Sequence, residues 1–309
     1  MSESKRIISV DAMGGDHAPG AVLGGINQFL YEHGESGVFF RLFGNERILR
    51  ELLKKYPRVA RNCEIIHANG VIAGTDKVRD VIRHAQDSSM YMAIKDVRDG
   101  NSSAVVSAGN TGVLMALSKL ALKTVDGISR PAITTMLPSG NGDTRVVGLD
   151  LGANVQCDEE ILFDFSILGS VYAEIIGGMT RPRVGILNIG EEETKGSETL
   201  QRLNKVLIEH SAELPYEYIG FVEGNDVTAG NVQVVVTDGF TGNVMLKTAE
   251  GMAKMMGGLM KESFTSSFSS KMGYLLSKKG FKPMLDTMNY KKVGGALLLG
   301  VNTIPVKAH

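Results

Sequence analysis

The chain has 309 residues, of which 43% are hydrophobic and 22% are charged, and its formal net charge is −1. This composition is typical of a globular protein with a sizeable core. The small net charge, the absence of tryptophan and the 6% of aromatic residues argue against a nucleic-acid-binding protein, which needs a basic field and stacking side chains. The two cysteines, Cys63 and Cys157, are far apart, and the first residues have no signal-peptide pattern. The sequence therefore predicts a cytoplasmic protein without disulfides.

Strand-like and helix-like segments alternate along the first 122 residues. Pro19 suits the first position of a helix, and Asn45 suits the cap of the next one. The hydrophobic periodicity distinguishes the two kinds of segment. We predict strands at 6–12, 38–44, 63–68 and 103–109, and helices from Pro19 to about 33 and at 46–56, 77–98 and 111–122.

The alternation changes after residue 131. Two apolar runs, 132–138 and 144–152, are joined by a Gly-Asn-Gly turn and predict a hairpin inside the α/β pattern. We therefore expect an α/β fold with three layers, α/β/α, and a mixed, mostly parallel sheet, in one domain spanning 1–309. The further predicted elements are helices at 158–179, 197–211 and 242–263 and strands at 183–190, 216–222 and 232–239.

A basic segment at about 252–290 differs from the rest of the chain. Residues 254–292 contain eight lysines, no arginine, and only Glu262 and Asp286 as acids. Apolar residues recur there at helical spacing, which predicts one or two amphipathic helices, that is, a helical hairpin. One interpretation is core packing with a solvated lysine face. The other is docking on an anionic membrane or on an acidic partner.

Glycine-containing turns follow five of the predicted strands. In an open α/β sheet, ligands bind beyond the carboxyl ends of the strands, where backbone N–H groups and helix N-termini attract anions. The sequence has no G-x-G-x-x-G, P-loop or G-x-S-x-G motif, and its six histidines form no metal-spaced pair. Together the turns predict an anion site rather than a nucleotide or metal site; they lie at 11–20, 107–112, 150–154, 188–198 and 237–243.

Four side chains in these turns are candidates for the chemistry. Lys195 is a cation that would meet phosphate, although salt bridging to the neighbouring glutamates is an equally good interpretation. The amides of Asn110 and Asn243 would hold a phosphate or carbonyl oxygen. Asp238 would orient Lys195 or take a proton.

Six motifs of this sequence resemble, in order and spacing, those of the bacterial acyl-acyl-carrier-protein:phosphate acyltransferases. The resemblance covers nearly the whole chain. It implies a fold like the isocitrate/isopropylmalate dehydrogenases and the phosphotransacetylases, a homodimer, and no metal or other cofactor. The motifs are "VDAMGGDHAPG", "SAGNTGVLMA", "SRPAI", "DLGANVQC", "GILNIGEEETKGSE" and "VVVTDGFTGNVMLKTAEG".

The sequence departs from the family pattern at a few places. His17, in the first glycine turn, falls on a position that varies in the family, which argues against a catalytic role for it. Gln156 stands where the family usually has Asp. The family also continues past "AH" with a Gly-Ser turn and a final helix, whereas this sequence stops at Ala308-His309.

The resemblance implies that inorganic phosphate attacks the thioester of a long-chain acyl group on acyl carrier protein. The acyl phosphate then passes to a membrane glycerol-3-phosphate acyltransferase, and the enzyme associates peripherally with the membrane. On this hypothesis Lys195 neutralises phosphate, and Asp238 and Asn243 position the carbonyl and Lys195. The residues expected to cradle phosphate are Gly109, Asn110, Thr111, Gly112 and Asn154, and those expected to contact the membrane or the carrier are Lys278, Lys279 and Lys282.

Three alternatives remain open at this stage. A phosphotransacetylase-like enzyme would use acyl-coenzyme A and needs the same phosphate and thioester chemistry. An NAD-dependent dehydrogenase of the same fold would need clustered arginines and paired aspartates, and neither is convincingly spaced here. A membrane-surface scaffold built on the basic hairpin would leave the five glycine turns unexplained.

Overall fold

The structure is a computed structural model that describes residues 6–35, 37–140, 145–288 and 294–308, with side chains for all of these except 283–288. The described residues form two compact units. Unit 1 comprises Met1–Pro131 and Gly295–His309, and unit 2 comprises Ala132–Gly294. The assignment of 1–309 to one acyltransferase domain stays a prediction.

Eleven strands occur in the described residues. They are β1 (Arg6–Asp11), β2 (Val38–Gly44), β3 (Cys63–His67), β4 (Ala104–Ser107), β5 (Ala132–Pro138), β6 (Arg145–Leu149), β7 (Arg183–Leu187), β8 (Glu217–Val222), β9 (Val234–Val236), β10 (Gly295–Leu299) and β11 (Pro305–Ala308).

Eleven α-helices accompany them in the same part of the chain. They are α1 (Gly20–His33), α2 (Glu46–Leu53), α3 (Pro57–Arg61), α4 (Val78–His84), α5 (Ser89–Arg98), α6 (Thr111–Leu122), α7 (Glu159–Ile175), α8 (Glu198–Glu209), α9 (Gly224–Ala229), α10 (Gly239–Thr265) and α11 (Phe268–Met288).

The strands of unit 1 follow the order β3-β2-β1-β4-β11-β10. Neighbouring strands are parallel except for β10, which runs antiparallel to β11. Because Ser107 pairs with both Asp11 and Lys307, the carboxyl ends of β1, β4 and β11 reach the same edge of the sheet. Buried apolar side chains of β1, β2 and α1, such as Val10, Leu42 and Leu23, form the core beneath that edge.

The strands of unit 2 follow the order β5-β6-β9-β7-β8. The pairs β6–β9, β9–β7 and β7–β8 are parallel, and β5–β6 is the predicted antiparallel hairpin. Residues 141–144 of its turn lie outside the described residues. The central strand β9 is valine at all three positions and fully buried, as expected for a parallel strand covered on both faces.

Short polar side chains cap several of the helices that follow the strands. Asn45, Ser88, Asp158, Ser197 and Asp238 each accept a hydrogen bond from a backbone N–H in the first turn of the helix that follows. Such caps satisfy N–H groups that have no partner within the helix.

The structure corrects the sequence interpretation at five places. The predicted helix 77–98 is broken, because Ser88 caps a new helix after a short 3₁₀ turn at Ala85–Asp87. Helices α3 and α9 were not predicted, and α10 begins at Gly239 rather than at 242. The strands β10 and β11 were also missed, although β11 pairs with β4 inside the sheet of unit 1.

Candidate active site

A buried carboxylate organises the carboxyl edge of unit 1. Asp11, at the end of β1, is 1% exposed. Its Oδ1 accepts a hydrogen bond of 2.6 Å from the Ser89 hydroxyl, and its Oδ2 accepts one of 2.7 Å from the Ser107 hydroxyl. The Ser107 Oγ in turn accepts a bond of 3.0 Å from the Gly109 N–H. The carboxylate thus fixes the turn in which the predicted phosphate loop begins.

Glycine is required where the first loop of unit 1 passes over this network. A Cβ on Gly14 would lie 2.3 Å from Asp11 Oδ2 and 2.9 Å from the Gly109 nitrogen. A Cβ on Gly109 would lie 2.5 Å from the Cε of Met90. These distances are shorter than any van der Waals contact, so the motif glycines allow two loops and a buried acid to pack together.

Desolvation raises the pKa of Asp11 by more than its hydrogen-bond donors lower it. Burial raises the pKa of Asp11, while the hydrogen bonds from Ser89, Ser107 and the backbone of Met13 and Gly14 oppose that rise. The charged form of the group is therefore less stable here than in water.

The predicted phosphate loop, 107–112, leads directly into α6. Asn110 caps the helix, since its Oδ1 accepts from the Val113 N–H at 3.1 Å, and its Nδ2 donates to the Gly74 carbonyl at 2.7 Å. The amide is thus engaged in holding two loops together, and its predicted contact with phosphate remains untested. Thr111 and Gly112 lie in the first turn, where N–H groups lack intrahelical acceptors and face outward along the helix axis.

Lys307 brings a cation to the same loop. Its ammonium donates to the Ala108 carbonyl at 3.4 Å, and the residue pairs with Ser107 across the β11–β4 ladder. Sequence reasoning missed this lysine, because the strand that carries it was not predicted. The charge complements an anion at the loop.

A second buried carboxylate, Asp150, organises the carboxyl edge of unit 2. It is fully buried after β6 and accepts five hydrogen bonds. The shortest, 2.6 Å, comes from the Asn154 N–H, and another, 2.9 Å, comes from the Asn154 side-chain amide. Burial raises the pKa of Asp150 against these donors. Asn154, predicted to bind phosphate, is itself 3% exposed and helps to close the loop around Asp150.

The first turn of α10 packs directly on the Asp150 loop. The Gly239 N–H donates to the Asn154 carbonyl at 2.7 Å, and a Cβ on Gly242 would lie 1.9 Å from the Asp150 carbonyl oxygen. Asp238 caps the helix by accepting from the Thr241 N–H at 2.7 Å. The predicted roles of Asp238 and Asn243 toward the substrate are not tested by these contacts.

Asn243 lies beside the same loop, one turn further along α10. A Cβ on Gly152 would be 3.6 Å from the Asn243 side chain, so the two are neighbours across the loop. Since β6, β9 and β7 are parallel neighbours, the start of α10, which carries Asn243, and the loop that carries Lys195 both lie at this edge.

The predicted cation of unit 2, Lys195, is exposed after β7. Its backbone N–H donates to the Glu192 carbonyl at 2.9 Å, which makes a tight turn. The ammonium forms no ion pair with any described carboxylate, so the alternative interpretation as local salt bridging finds no support in the described residues.

Exposed apolar side chains surround the site edge of unit 2. Ile189 follows β7 and is 79% exposed, and Phe240 in the first turn of α10 is 64% exposed. Val155 and Val244, on the adjacent loop and helix, are also exposed. Large apolar residues gathered on loops of one sheet edge are suited to an apolar ligand rather than to water.

Other features of the described residues do not add a site for an anion or a nucleophile. A cavity of about 360 Å³ near α8 and β8 is lined by Glu191, Glu193 and Asp226, whose charges disfavour phosphate. Burial raises the pKa of Cys63 to about 11, which keeps that thiol protonated at neutral pH. The described part of the chain contains no cluster of three His, Cys, Asp or Glu side chains suited to a metal ion.

The predicted basic hairpin is formed by α10 and α11. Phe264 lies 4.9 Å from Tyr274 and 5.0 Å from Phe281 between ring centroids, and these contacts join the two helices. Apolar side chains are widely exposed along the pair, including Leu275 at 64% and Leu276 at 85%. The three lysines 278, 279 and 282 are exposed as well. In the part of the chain that is described, no helix is both long and apolar enough to cross a bilayer.

Comparison with known sequences identifies the family. A model of the family described as fatty acid synthesis protein matches residues 7–309. The phosphate acyltransferase of Granulibacter bethesdensis is 44% identical over 303 residues, which cover 98% of this chain and 80% of that protein. The chain belongs to the phosphate acyltransferase family. The resemblance inferred from the six motifs is therefore confirmed, and members of the phosphate acyltransferase family are transferases.

Solved structures show that this phosphate acyltransferase family member shares its fold with enzymes of lower sequence identity. A phosphotransacetylase from Streptococcus pyogenes matches with a TM-score of 0.62 and 17% identity, over 81% of this chain and 82% of that one. A 4-hydroxythreonine-4-phosphate dehydrogenase from Klebsiella pneumoniae matches with a TM-score of 0.53 and 13% identity, over 99% of this chain and 90% of that one. The predicted α/β fold class is confirmed.

Proposed function

We propose that this enzyme transfers a long-chain acyl group from acyl carrier protein to inorganic phosphate and releases an acyl phosphate. Membership of the phosphate acyltransferase family supports acyl transfer to phosphate. The observation that carries the proposal is the loop 107–112 at the start of α6, which is fixed by Asp11 and Ser107 and has the Lys307 ammonium beside it. A helix N-terminus with backbone N–H donors and a nearby cation suits phosphate.

In the proposed reaction a phosphate oxygen attacks the thioester carbon. The new C–O bond forms as the C–S bond breaks, and the proton of hydrogen phosphate ends on the carrier thiol. Gly109, Asn110, Thr111 and Gly112 cradle phosphate, mainly through the backbone N–H groups of residues 110–112, because the Gly109 N–H already donates to Ser107 Oγ. A thiolate is a good leaving group, so alignment and charge stabilisation contribute most of the rate acceleration.

The groups of unit 2 act on the charge that develops during the reaction. Lys195 is exposed and carries no local ion pair among the described residues, so its charge is available to phosphate and to the oxyanion. Asn243 and Asp238 position the carbonyl and Lys195. Asn154 supports them by closing the loop around Asp150.

The exposed apolar residues beside the site support a long acyl chain over an acetyl group. An acetyl group has one methyl to bury, whereas each methylene of a long chain gains about 0.8 kcal/mol when it leaves water. Val155, Ile189, Phe240 and Val244 offer apolar surface for such a chain.

We also propose that the α10–α11 hairpin contacts the membrane surface. Its exposed apolar side chains and the exposed Lys278, Lys279 and Lys282 fit an anionic bilayer. On this proposal the enzyme is a cytoplasmic, peripherally associated homodimer that delivers acyl phosphate to a membrane glycerol-3-phosphate acyltransferase. An acidic acyl carrier protein is the alternative partner for the lysines.

The test is thiol release from palmitoyl-acyl carrier protein, measured with and without inorganic phosphate. We expect release that depends on phosphate and is much slower with acetyl-coenzyme A. Faster release from acetyl-coenzyme A would instead favour a phosphotransacetylase. No phosphate-dependent release from either donor would overturn the proposal, and NAD reduction would then be measured.

A further inference from the structure

Asn188 has a buried amide without a hydrogen-bond partner. The residue follows β7, and both its Nδ2 and its Oδ1 are fully shielded from solvent. Neither atom bonds to any group in the described chain. An asparagine amide has two N–H donors and an acceptor oxygen, and burying all of them unpaired destabilises the fold. An orphaned group of this kind calls for an explanation, and a missing ligand is one.

The amide lies at the edge of unit 2 that carries the candidate site. Ile186 of β7 pairs with Val236 of β9 in a parallel register, so Asn188 and Asp238 both follow neighbouring strand ends at the same edge. Lys195 belongs to the loop that starts at Asn188. The orphaned amide therefore lies at the same sheet edge as the groups assigned to the reacting carbonyl.

One loop covers the amide directly. A Cβ on Gly196 would lie only 2.3 Å from Asn188 Oδ1 and 3.0 Å from Nδ2. Gly196 has a φ of +81°, which also favours glycine. The backbone at 196 therefore lies close to the amide and helps to exclude water from it without forming a hydrogen bond.

The covering loop, 190–196, has few attachments of its own. Glu191, Glu192, Glu193 and Lys195 are exposed. The side-chain amide of Gln201 donates to the carbonyls of Thr194 and Gly196, and these bonds tie the loop to α8. A small displacement of the loop would open Asn188 to a ligand without disturbing the sheet.

We infer that Asn188 is a substrate-binding catalytic residue, whose Nδ2 donates to the thioester carbonyl oxygen when the backbone at Gly196 shifts off the amide. This inference rests on the proposed acyl transfer to phosphate. A neutral amide donor stabilises the oxyanion that forms on that oxygen and leaves the phosphate untouched. The bound substrate supplies the partner that the amide lacks in the free enzyme.

The decisive variant is Asn188→Leu, which keeps the number of side-chain heavy atoms and removes the polar ones, although leucine is larger. Loss of an unpaired amide offsets the cost of the larger side chain beneath Gly196, so we expect a melting temperature close to that of the wild type. We also expect kcat to fall by about 100-fold with palmitoyl-acyl carrier protein. The KM for phosphate should stay within about twofold of the wild-type value, because the lost contact acts on the carbonyl oxygen.

Asn204→Leu is the matched control. Asn204 is buried in unit 2, and its Oδ1 accepts a bond of 2.6 Å from the Tyr218 hydroxyl. This variant leaves the Tyr218 hydroxyl without its acceptor, so we expect a lower melting temperature and a kcat close to that of the wild type. The two variants should therefore change stability and activity in opposite ways.

The outcomes separate this inference from the proposed function. An active wild type together with an Asn188→Leu variant of nearly unchanged kcat would overturn the role of Asn188 alone. If Asn188→Leu does not fold, Asn188→Ala is measured instead, and a folded, fully active Asn188→Ala would overturn it equally. A wild type without phosphate-dependent thiol release would overturn both proposals.

Discussion

The hydroxyl group of Ser107 donates a hydrogen bond of 2.7 Å to the buried carboxylate of Asp11. This bond joins the ends of two adjacent parallel strands, and through the Gly109 N–H it extends into the loop proposed to bind phosphate. The acid is therefore part of the support of the loop, and its ionisation affects the stability of unit 1.

We expect Asp11 to make stability depend on pH. Burial raises the pKa of its carboxyl group in the folded protein above that in the unfolded chain, which is about 4. The folded protein then holds the proton more tightly, so this contribution to the free energy of unfolding falls as the pH rises from about 4 through the raised folded pKa. Asp11→Asn removes the titrating group, so urea unfolding at a series of pH values should show a flatter profile for the variant. Parallel profiles for the two proteins would contradict this prediction.

Replacement of glycine by alanine should have opposite effects on stability at two positions of α10. A Cβ at Gly242 would lie 1.9 Å from the Asp150 carbonyl oxygen, whereas a Cβ at Gly251 meets no described atom within 4 Å. We expect Gly242→Ala to lower the free energy of unfolding by about 2–3 kcal/mol or more. Gly251→Ala should raise it by about 0.5–1 kcal/mol, because alanine favours the helix. Chemical denaturation measures both, and a neutral Gly242→Ala would show that α10 does not pack on the Asp150 loop.

Lys195→Ala should reduce turnover by on the order of 10²–10³ if the ammonium stabilises the transition state. Stability should change little, because the side chain is exposed and forms no ion pair with a described residue. The assay is thiol release from palmitoyl-acyl carrier protein at saturating phosphate. Lys205→Ala, an exposed lysine on α8, serves as the control and should retain full turnover. Near-normal turnover of Lys195→Ala would remove this residue from the catalytic assignment.

Ile189→Ser should weaken the use of a long-chain donor without weakening the fold. The side chain is 79% exposed at the site edge of unit 2, and Ile175, at the end of α7, is 73% exposed. We expect kcat/KM for palmitoyl-acyl carrier protein to fall by about tenfold in Ile189→Ser, since that corresponds to about 1.4 kcal/mol of lost apolar contact. Ile175→Ser should behave as the wild type. Equal effects of the two substitutions would argue against an acyl-chain contact at Ile189.

Reversal of charge at Lys278, Lys279 and Lys282 should weaken binding to anionic vesicles. Each lysine near an anionic surface contributes about 1 kcal/mol at moderate salt. The triple glutamate variant should therefore bind vesicles of phosphatidylglycerol more than 100-fold more weakly in a co-sedimentation assay, while thiol release in solution stays unchanged. Unchanged vesicle binding would eliminate the electrostatic part of the membrane proposal. Loss of thiol release with intact vesicle binding would point to the carrier protein as the partner.

Local sequence signals predicted most of the helices and strands. They failed where contacts between residues distant in sequence determine the secondary structure. Asn45 and the apolar period predicted α2, and the Gly-Asn-Gly turn predicted the β5–β6 hairpin. The short helix α9 begins at Glu223 with a reciprocal acidic cap, and its six residues give too little periodicity to predict. The strands β10 and β11 were not predicted, because their pairing depends on residues that are distant in sequence.

The same distinction applies to the candidate site. The glycine turns and Lys195 were visible in the sequence, because turn residues follow strand ends. Asp11 and Asp150 also stand at strand ends before such turns, so their positions alone indicate candidate site residues. Nothing local reveals that the amide of Asn188 is shielded from solvent without a partner, or that Lys307 reaches Ala108. Those facts arise only when the loops and strands are brought together.

The position of β11 also bears on how the protein is synthesised. Pro305 and Val306 of β11 pair with Val105 and Val106 of β4. The ribosome therefore makes β4 long before its partner strand β11 emerges. During that interval the nascent first unit has an open, valine-bearing sheet edge of the kind that other chains can join. Its native sheet is completed only after the whole of unit 2 has been made. A ribosome stalled within unit 2 should therefore hold a first unit that is more accessible to proteases and chaperones than the same residues are in the finished protein.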